Sequence, residues 1–492
     1  MRGLLWTLAA ALACLSVLIL NGGPLFYYDT AGYVDQGSTA LRQLGIAPAP
    51  SPDPAFAAPD AAAPAGGVGG GAGGGVGTVD GSRSAVYAIV AGLLAHLGAL
   101  DAIVALNLVA VLLALWLPVR VAVRTGLLDG PVARGVALPL IVASLGSLPF
   151  YIAYLMPDIF APVLLILAAA FAGFGRSMRA WEMALGVALG AFAVVTHLSH
   201  LAIAALLVPV VILAAVAQAR RHIWVPALLI LLVLGAGLAE QKAFRVAAKA
   251  VSHSDVVIKP YITARLIQDG PGLWYLEKHC PDPAIATCPL FDALKLSDDP
   301  WRLTATHIVF ETSPRLGSFR LMTETDQRRV AAGQVGFFLD VLRDMPFATV
   351  YALARNTLVQ TAMFSVHMTV PTANMQESNA HVTGLWSGPL SVRGLDAEGA
   401  WLGPLTVAQG VLYALSLLVI AALVVWPGRV PGAWRSFAVV IVLGILANAL
   451  VCGGISQPAD RYGARVIWLL PMAATLLLLA ARRKRGAGQG WL

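Results

Sequence analysis

Ten stretches of mostly apolar residues dominate this sequence, near 4–22, 102–119, 135–152, 159–175, 182–198, 201–218, 223–239, 403–425, 436–455 and 464–481. A helix needs about 20 such residues to cross the hydrocarbon core of a bilayer, and each stretch comes close to that length. The composition of the 492 residues agrees, with 58% hydrophobic and 12% charged, where soluble domains carry roughly 45–50% and about 25%. A soluble enzyme and a nucleic-acid binder are excluded on this ground. The expected class is a polytopic α-helical membrane protein of about ten transmembrane helices. An external soluble α+β domain is expected before the last three spans.

The cations orient the spans. Alternate short loops, with Arg2, Arg120, Arg124, Arg134, Arg176, Arg179, Arg220, Arg221, Arg429, Arg435 and the run 482–485, hold fourteen Lys/Arg, and the opposite short loops hold four. The other fifteen lie in one long segment, 240–401. Short-loop Lys/Arg bias sets orientation, whereas long segments translocate largely regardless of charge. Both termini are therefore expected to be cytoplasmic and segment 240–401 external. Among the acids only Asp129 and Glu182 fall on the cytoplasmic side. An uncleaved first helix is expected, because no A-x-A cleavage site follows the first apolar stretch. The Ala/Gly/Arg-rich composition suggests a bacterial inner membrane, with the periplasm outside.

The expected division is a membrane part at 1–239, an external domain at 240–401, a second membrane part at 402–481 and a basic tail at 482–492. The first external loop, 23–101, contains a Pro/Ala/Gly tract at 47–79, read as a flexible linker that cannot bury a core. Its glycine run lacks the Gly-Lys-Ser/Thr ending of a phosphate-binding loop. An apolar stretch of about 14 residues after Tyr87 is short for a span and is read as a helix at the outer interface. Cys280 and Cys288, close together in the external segment, read as a disulfide in an oxidising compartment. Cys14 and Cys452 fall inside expected spans and read as packing residues.

Polar residues at the outer ends of spans carry the candidate chemistry, since burying them is costly. Three loops converge on one face by the expected topology. The first holds Tyr27, Tyr28, Asp29 and Asp35, with Arg83 further along. The second holds Met156-Pro157-Asp158 after an aromatic run, and the third holds Asp460, Arg461, Tyr462 and Arg465. His197 and His200 open onto the same face and share a helix side, a weak metal-ligand pattern without an acidic partner. The remaining histidines show no ligand spacing. Each acid has a structural alternative. Asp29 and Asp158 both suit helix starts, and Asp460 and Arg461 suit a mutual ion pair.

An Asp in a long first external loop, a second Asp in the next, an external domain and an Arg-Tyr pair before the last span together resemble the GT-C glycosyltransferase superfamily. That superfamily includes the lipid A aminoarabinose transferases and protein O-mannosyltransferases. Relatives typically carry an acidic pair early in the first loop, where this chain has Tyr28-Asp29-Thr30. They also carry a Pro- or Arg-containing segment before a juxtamembrane helix, to which Arg83-Ser-Ala-Val-Tyr87 is similar. The resemblance covers the spans and first loop, not 240–401. It implies sugar transfer from a polyprenyl-phosphate donor to a glycolipid, glycan or protein acceptor of the cell envelope, with inversion at the anomeric carbon. Asp29 is then the candidate base, and Arg461, Arg465 and Arg83 candidates for the lipid phosphate. Asp158 would orient the acceptor or hold a divalent cation such as Mg or Mn, with Asp29 as the other possible ligand. Tyr27, Tyr28 and Tyr462 would stack on sugar. Two other classes compete: a transporter or lipid flippase, and a non-catalytic subunit of envelope polysaccharide assembly or export. A transporter would want mid-bilayer charges and repeated halves, and few such charges and no repeat are present here.

Overall fold

The computed structural model describes residues 2–46, 78–218, 224–313, 318–382, 394–426 and 428–482. The tract at 47–79 lies outside the described residues except for Thr78 and Val79, and so does the basic tail beyond Arg482.

The hydropathy of the chain becomes helix. The N-terminal part runs α1 (Arg2–Cys14), α2 (Ser16–Asn21), α3 (Tyr28–Gln43), strand β1 (Thr78–Asp80), α4 (Ala85–His96), α5 (Ala102–Arg124), α6 (Val132–Ala143), α7 (Leu148–Ile152), α8 (Phe160–Phe174), α9 (Ala180–Val195), α10 (Leu198–Gln218) and α11 (Trp224–Ser252). The middle part runs strand β2 (Asp255–Val257), α12 (Tyr261–Asp269), α13 (Pro271–His279), α14 (Cys288–Leu294), α15 (Ala305–Phe310), α16 (Glu324–Asp344), α17 (Pro346–Ala362) and α18 (Ala373–Ser378). The chain closes with α19 (Leu402–Val425), α20 (Gly432–Ala449) and its π-helical continuation Leu450–Ser456, α21 (Asp460–Ile467) and α22 (Leu469–Ala481).

Among the described residues seven continuous helical segments are long and apolar enough to cross a membrane: Ala102–Arg124, Pro157–Ser177, Leu198–Gln218, Trp224–Val251, Leu402–Val425, Gly432–Ser456 and Asp460–Ala481. The other three expected spans coincide with shorter or interrupted helices. The first is broken at Leu15, and the third bends at Ser144–Ser147 between α6 and α7. The fifth coincides with α9, which has 16 residues. Ala85–His96 has 12 residues, about 18 Å of helix, and does not reach across a core of about 30 Å.

Two apolar clusters form. The larger gathers the apolar helices around α8, whose residues from Phe160 to Ala170 are all buried. At one end of α9, buried Glu182 joins two elements by accepting from Arg124 at 2.6 Å and lying 3.4 Å from Arg120. The smaller cluster comprises residues of 257–341, including Leu266, Leu276, Leu290, Ile308 and Val341.

The expected α+β fold of 240–401 is corrected by this structure. The regular structure of its described residues is helical, apart from the three residues of β2, which pair in parallel with β1 of the first loop. Pro271, Pro289 and Pro346 stand in first turns of α13, α14 and α17, where the missing N–H has no helical partner to lose. The buried positions of α16, Val330, Phe337 and Val341, lie seven and four apart, a helical spacing. α11 continues unbroken past residue 240 to Ser252. The disulfide between Cys280 and Cys288 is formed, with Cα atoms 5.7 Å apart, and Cys14 and Cys452 are free and buried.

Candidate functional site

The first loop is tied to the loop after α7 by a short parallel bridge. Leu25 N–H donates to Ala153 O at 2.8 Å, and Leu155 N–H donates to Leu25 O at 2.7 Å. Thr30 then fixes the start of α3: its Oγ1 accepts from Tyr27 N–H at 3.0 Å and donates to Leu155 O at 3.4 Å. These bonds set Asp29, in the first turn of α3, beside Asp158, in the turn that opens α8.

Arg83 reaches the same place from the far side of the first loop. The Ser84 hydroxyl accepts from Tyr87 N–H at 3.1 Å, capping α4, and donates to Val195 O at 2.5 Å. Lys259 Nζ holds Asp80 at 2.5 Å, and its backbone N–H donates to Ser82 Oγ at 3.1 Å. The segment ahead of α4 is thereby clamped from both sides. Gly32 lets the Arg83 guanidinium lie flat on α3, since a Cβ there would sit 2.7 Å from its central carbon.

The third contribution comes from α21. Ser147 Oγ donates to Ala464 O at 2.5 Å, Tyr151 OH to Arg461 O at 2.5 Å and Asn448 Nδ2 to Tyr462 O at 2.8 Å. This short helix is thus bolted to two neighbours, and its arginines point into the join. Arg461 Nε lies 3.4 Å from Asp158 Oδ1, and its Nη1 lies 3.7 Å from Asp29 Oδ2. Arg465 Nη1 lies 3.4 Å from Asp158 Oδ1, while its Nε and Nη2 donate to Asn448 Oδ1 at 3.1 and 2.8 Å. Arg83 Nη2 donates to Asp29 Oδ1 at 3.0 Å. Tyr27 and Tyr462 present rings to Arg461, at 4.5 and 5.2 Å from its guanidinium carbon.

The two carboxylates differ in access. Asp158 is fully buried, whereas the Asp29 side chain keeps 37% of its surface exposed. Burial raises the Asp29 carboxyl, but Arg461 and Arg83 outweigh that and hold it below the ordinary carboxylate range. Asp80 behaves alike, with Lys259 overcoming its burial. Asp158 meets two guanidinium groups out of solvent, so its chemistry is to hold Arg461 and Arg465 in place. Breaking such a buried pair is far costlier than its net contribution to stability.

Other candidate residues lie elsewhere. Asp460 does not pair with Arg461: its Oδ1 accepts from Ser365 N–H at 2.8 Å, and His367 is 3.8 Å away. Asp35 is exposed and lies 3.3 Å from His381. Tyr28 is exposed and packs edge-on against Tyr27. His197 accepts at Nδ1 from Ser199 N–H at 3.1 Å, and His200 Nδ1 lies 2.8 Å from Ala193 O. Among the described residues no group of three or more His, Cys, Asp or Glu is placed to hold a metal ion. Asp29 and Asp158, the acids considered for a divalent cation, are each already met by two guanidinium groups. A cation would have to displace a resident positive charge, so this donor set does not fit one.

Sequence reasoning passed over Asn448 and Ser199 and read Cys452 only as packing, yet all three meet Arg465, at 2.8, 3.3 and 3.0 Å. An Asn within an apolar stretch was a usable signal, because unpaired amides are costly there. It also passed over Asn379, whose Oδ1 accepts from Ala31 N–H at 2.9 Å and ties α18 to α3. Compared with known proteins, the chain matches no family model, no curated protein and no solved structure.

Proposed function

We propose that this protein is an inverting glycosyltransferase of a bacterial inner membrane, moving a sugar from a polyprenyl-phosphate donor to an envelope glycolipid, glycan or protein. In this reading ten spans leave both termini in the cytoplasm, and the site opens to the periplasm. The observation that carries it is the partly open Asp29 carboxylate at the edge of a guanidinium cluster. Three cations, Arg83, Arg461 and Arg465, meet two carboxylates, Asp29 and Asp158. The pair of Asp80 and Lys259 alongside is neutral. These four cations and three carboxylates leave one positive charge in excess, which favours an anionic ligand.

In the transfer step the acceptor hydroxyl oxygen bonds to the anomeric carbon and its proton passes to Asp29. The bond from that carbon to the phosphate oxygen breaks, and the electron pair leaves on the lipid phosphate. A positioned base of this kind supplies about 10²–10⁴-fold in rate. Arg461 and Arg83 both touch Asp29 and keep it ionised, and the departing phosphate, on the opposite face of the sugar in an inversion, needs cations where it gains charge. Arg461 and Arg465 suit that role because guanidinium binds phosphate bidentately. Asp158 is a positioning residue for these arginines, and Tyr27 and Tyr462 flank Arg461 as surfaces for the sugar.

Comparative mass spectrometry of envelope glycolipids and glycans from cells with and without the gene tests this. The reading requires loss of one sugar increment, restored by the wild-type gene. Unchanged glycans with altered distribution of a lipid between leaflets would instead favour a flippase.

A further inference from the structure

We infer that α17, within the segment whose composition reads as soluble, is an in-plane helix embedded in the outer leaflet of the bilayer, with its apolar face against lipid chains. The observation is an inside-out helix. The side of α17 that faces the protein is largely polar: Thr349, Asn356 and Gln360 are buried there with Ala352. Those groups are satisfied internally. Asn356 Nδ2 donates to Asp269 Oδ2 at 2.7 Å, and Gln360 both donates to Ala459 O and accepts from Ala459 N–H at 2.9 Å. The side facing away is mostly apolar, with one cation, Arg355, exposed beside the stripe, where its long side chain can reach toward the aqueous interface. Phe347 is 90% exposed, Tyr351 and Leu358 are 69% exposed, and Val350 is 56% exposed. These positions recur at three, four and eleven residues from Phe347, one stripe of a helix. A helix in water buries the opposite face.

The partner is argued from depth and continuity. The C-terminal half of α17 packs on the π-helical end of the α20 span, where a Cβ on Gly453 would sit 2.4 Å from the Gln360 Cβ. Counted from Phe437, where the apolar run of that span begins, Gly453 lies roughly 24 Å along the helix axis. That places the contact near the outer boundary of a core about 30 Å thick. The exposed stripe therefore continues the lipid-facing surface of the spans. Tyr351 suits the interface, where amphipathic rings concentrate. Such a helix also braces the site: Gln360 holds Ala459, and Ser365 just beyond α17 holds Asp460, the two residues before Arg461.

This inference does not depend on the transferase reading. It is tested with single cysteines, Phe347→Cys, Tyr351→Cys and Leu358→Cys, each labelled with the fluorophore NBD. The native free thiols, Cys14 and Cys452, are buried and the other two cysteines are bonded. The full-length protein is placed in phosphatidylcholine nanodiscs with or without doxyl-labelled lipid, and iodide serves as the aqueous quencher. Leu296→Cys, in the turn after α14 and 72% exposed, sets the aqueous reference. The substituted side chains point outward, so folding is retained. Loss of emission with doxyl lipid and little loss with iodide is the expected result at all three positions. Iodide quenching at the level of the Leu296→Cys reference would overturn the inference. So would insensitivity to both quenchers, which would mean that protein covers the stripe.

Discussion

At the residue scale, the proposed site turns on one carboxylate and its two guanidinium neighbours. The Asp29 carboxyl is held below its ordinary value although burial opposes this, so a step that uses it as a base loses rate only as pH falls through that lowered value. Removing a neighbouring cation reverses the bias. In Arg83→Met the Asp29 carboxyl rises, and the acidic limb of the pH–rate profile moves to higher pH. The basic limb should not follow it, since no carboxylate titrates there. A profile whose acidic limb stays in place would separate Arg83 from the ionisation of Asp29. The candidate acids and arginines were visible in the sequence as polar residues at span ends. Their pairings were not. That Arg461 turns to Asp158 and Asp29 rather than to adjacent Asp460 follows from the Ser365 N–H, which occupies Asp460 from about a hundred residues away.

At the element scale, α3 and α4 carry Asp29 and Arg83 to one another, and they cross at two glycines. A Cβ on Gly37 would lie 1.8 Å from Ala88 O, and one on Gly92 would lie 2.5 Å from the Gly37 carbonyl carbon. Gly37→Ala therefore pushes the helices apart. The expected cost is about 1–3 kcal/mol, the usual range for overpacking, read as a lower midpoint of thermal unfolding in detergent. Arg83 should lose its bond to Asp29 in the same variant. Hydropathy made helices such as α5 and α19 legible to within a few residues, because long apolar runs have one structural outcome in a bilayer. It did not reveal α17, because averaging over its stripe and its buried amides gives the composition of a soluble helix. Nor did it reveal that β2 pairs with β1, a contact between segments about 177 residues apart in the chain.

At the scale of the whole molecule, two apolar clusters share one chain, and only the smaller has a covalent cross-link. The disulfide joins Cys280 to Cys288 across a separation of eight residues, a loop whose closure is worth roughly 2–3 kcal/mol in the chain-entropy account. Reduction should loosen the helices between 257 and 345 and leave the apolar helices intact. Hydrogen exchange by mass spectrometry, with and without dithiothreitol, reads this as faster exchange confined to that segment; acceleration in α8 and α20 as well would contradict two separate clusters. The charged join of Asp29, Arg83, Arg461 and Asp158 belongs to neither cluster alone, since its Arg83 segment is braced by Lys259 next to the smaller one. The most direct test of the account replaces that one open carboxylate. Cells lacking the gene are complemented with wild type or with Asp29→Asn at matched membrane levels, and envelope glycans are compared by mass. The account predicts that wild type restores the missing sugar increment and that Asp29→Asn lowers its formation by about 10²–10⁴-fold. Full restoration by Asp29→Asn would contradict it.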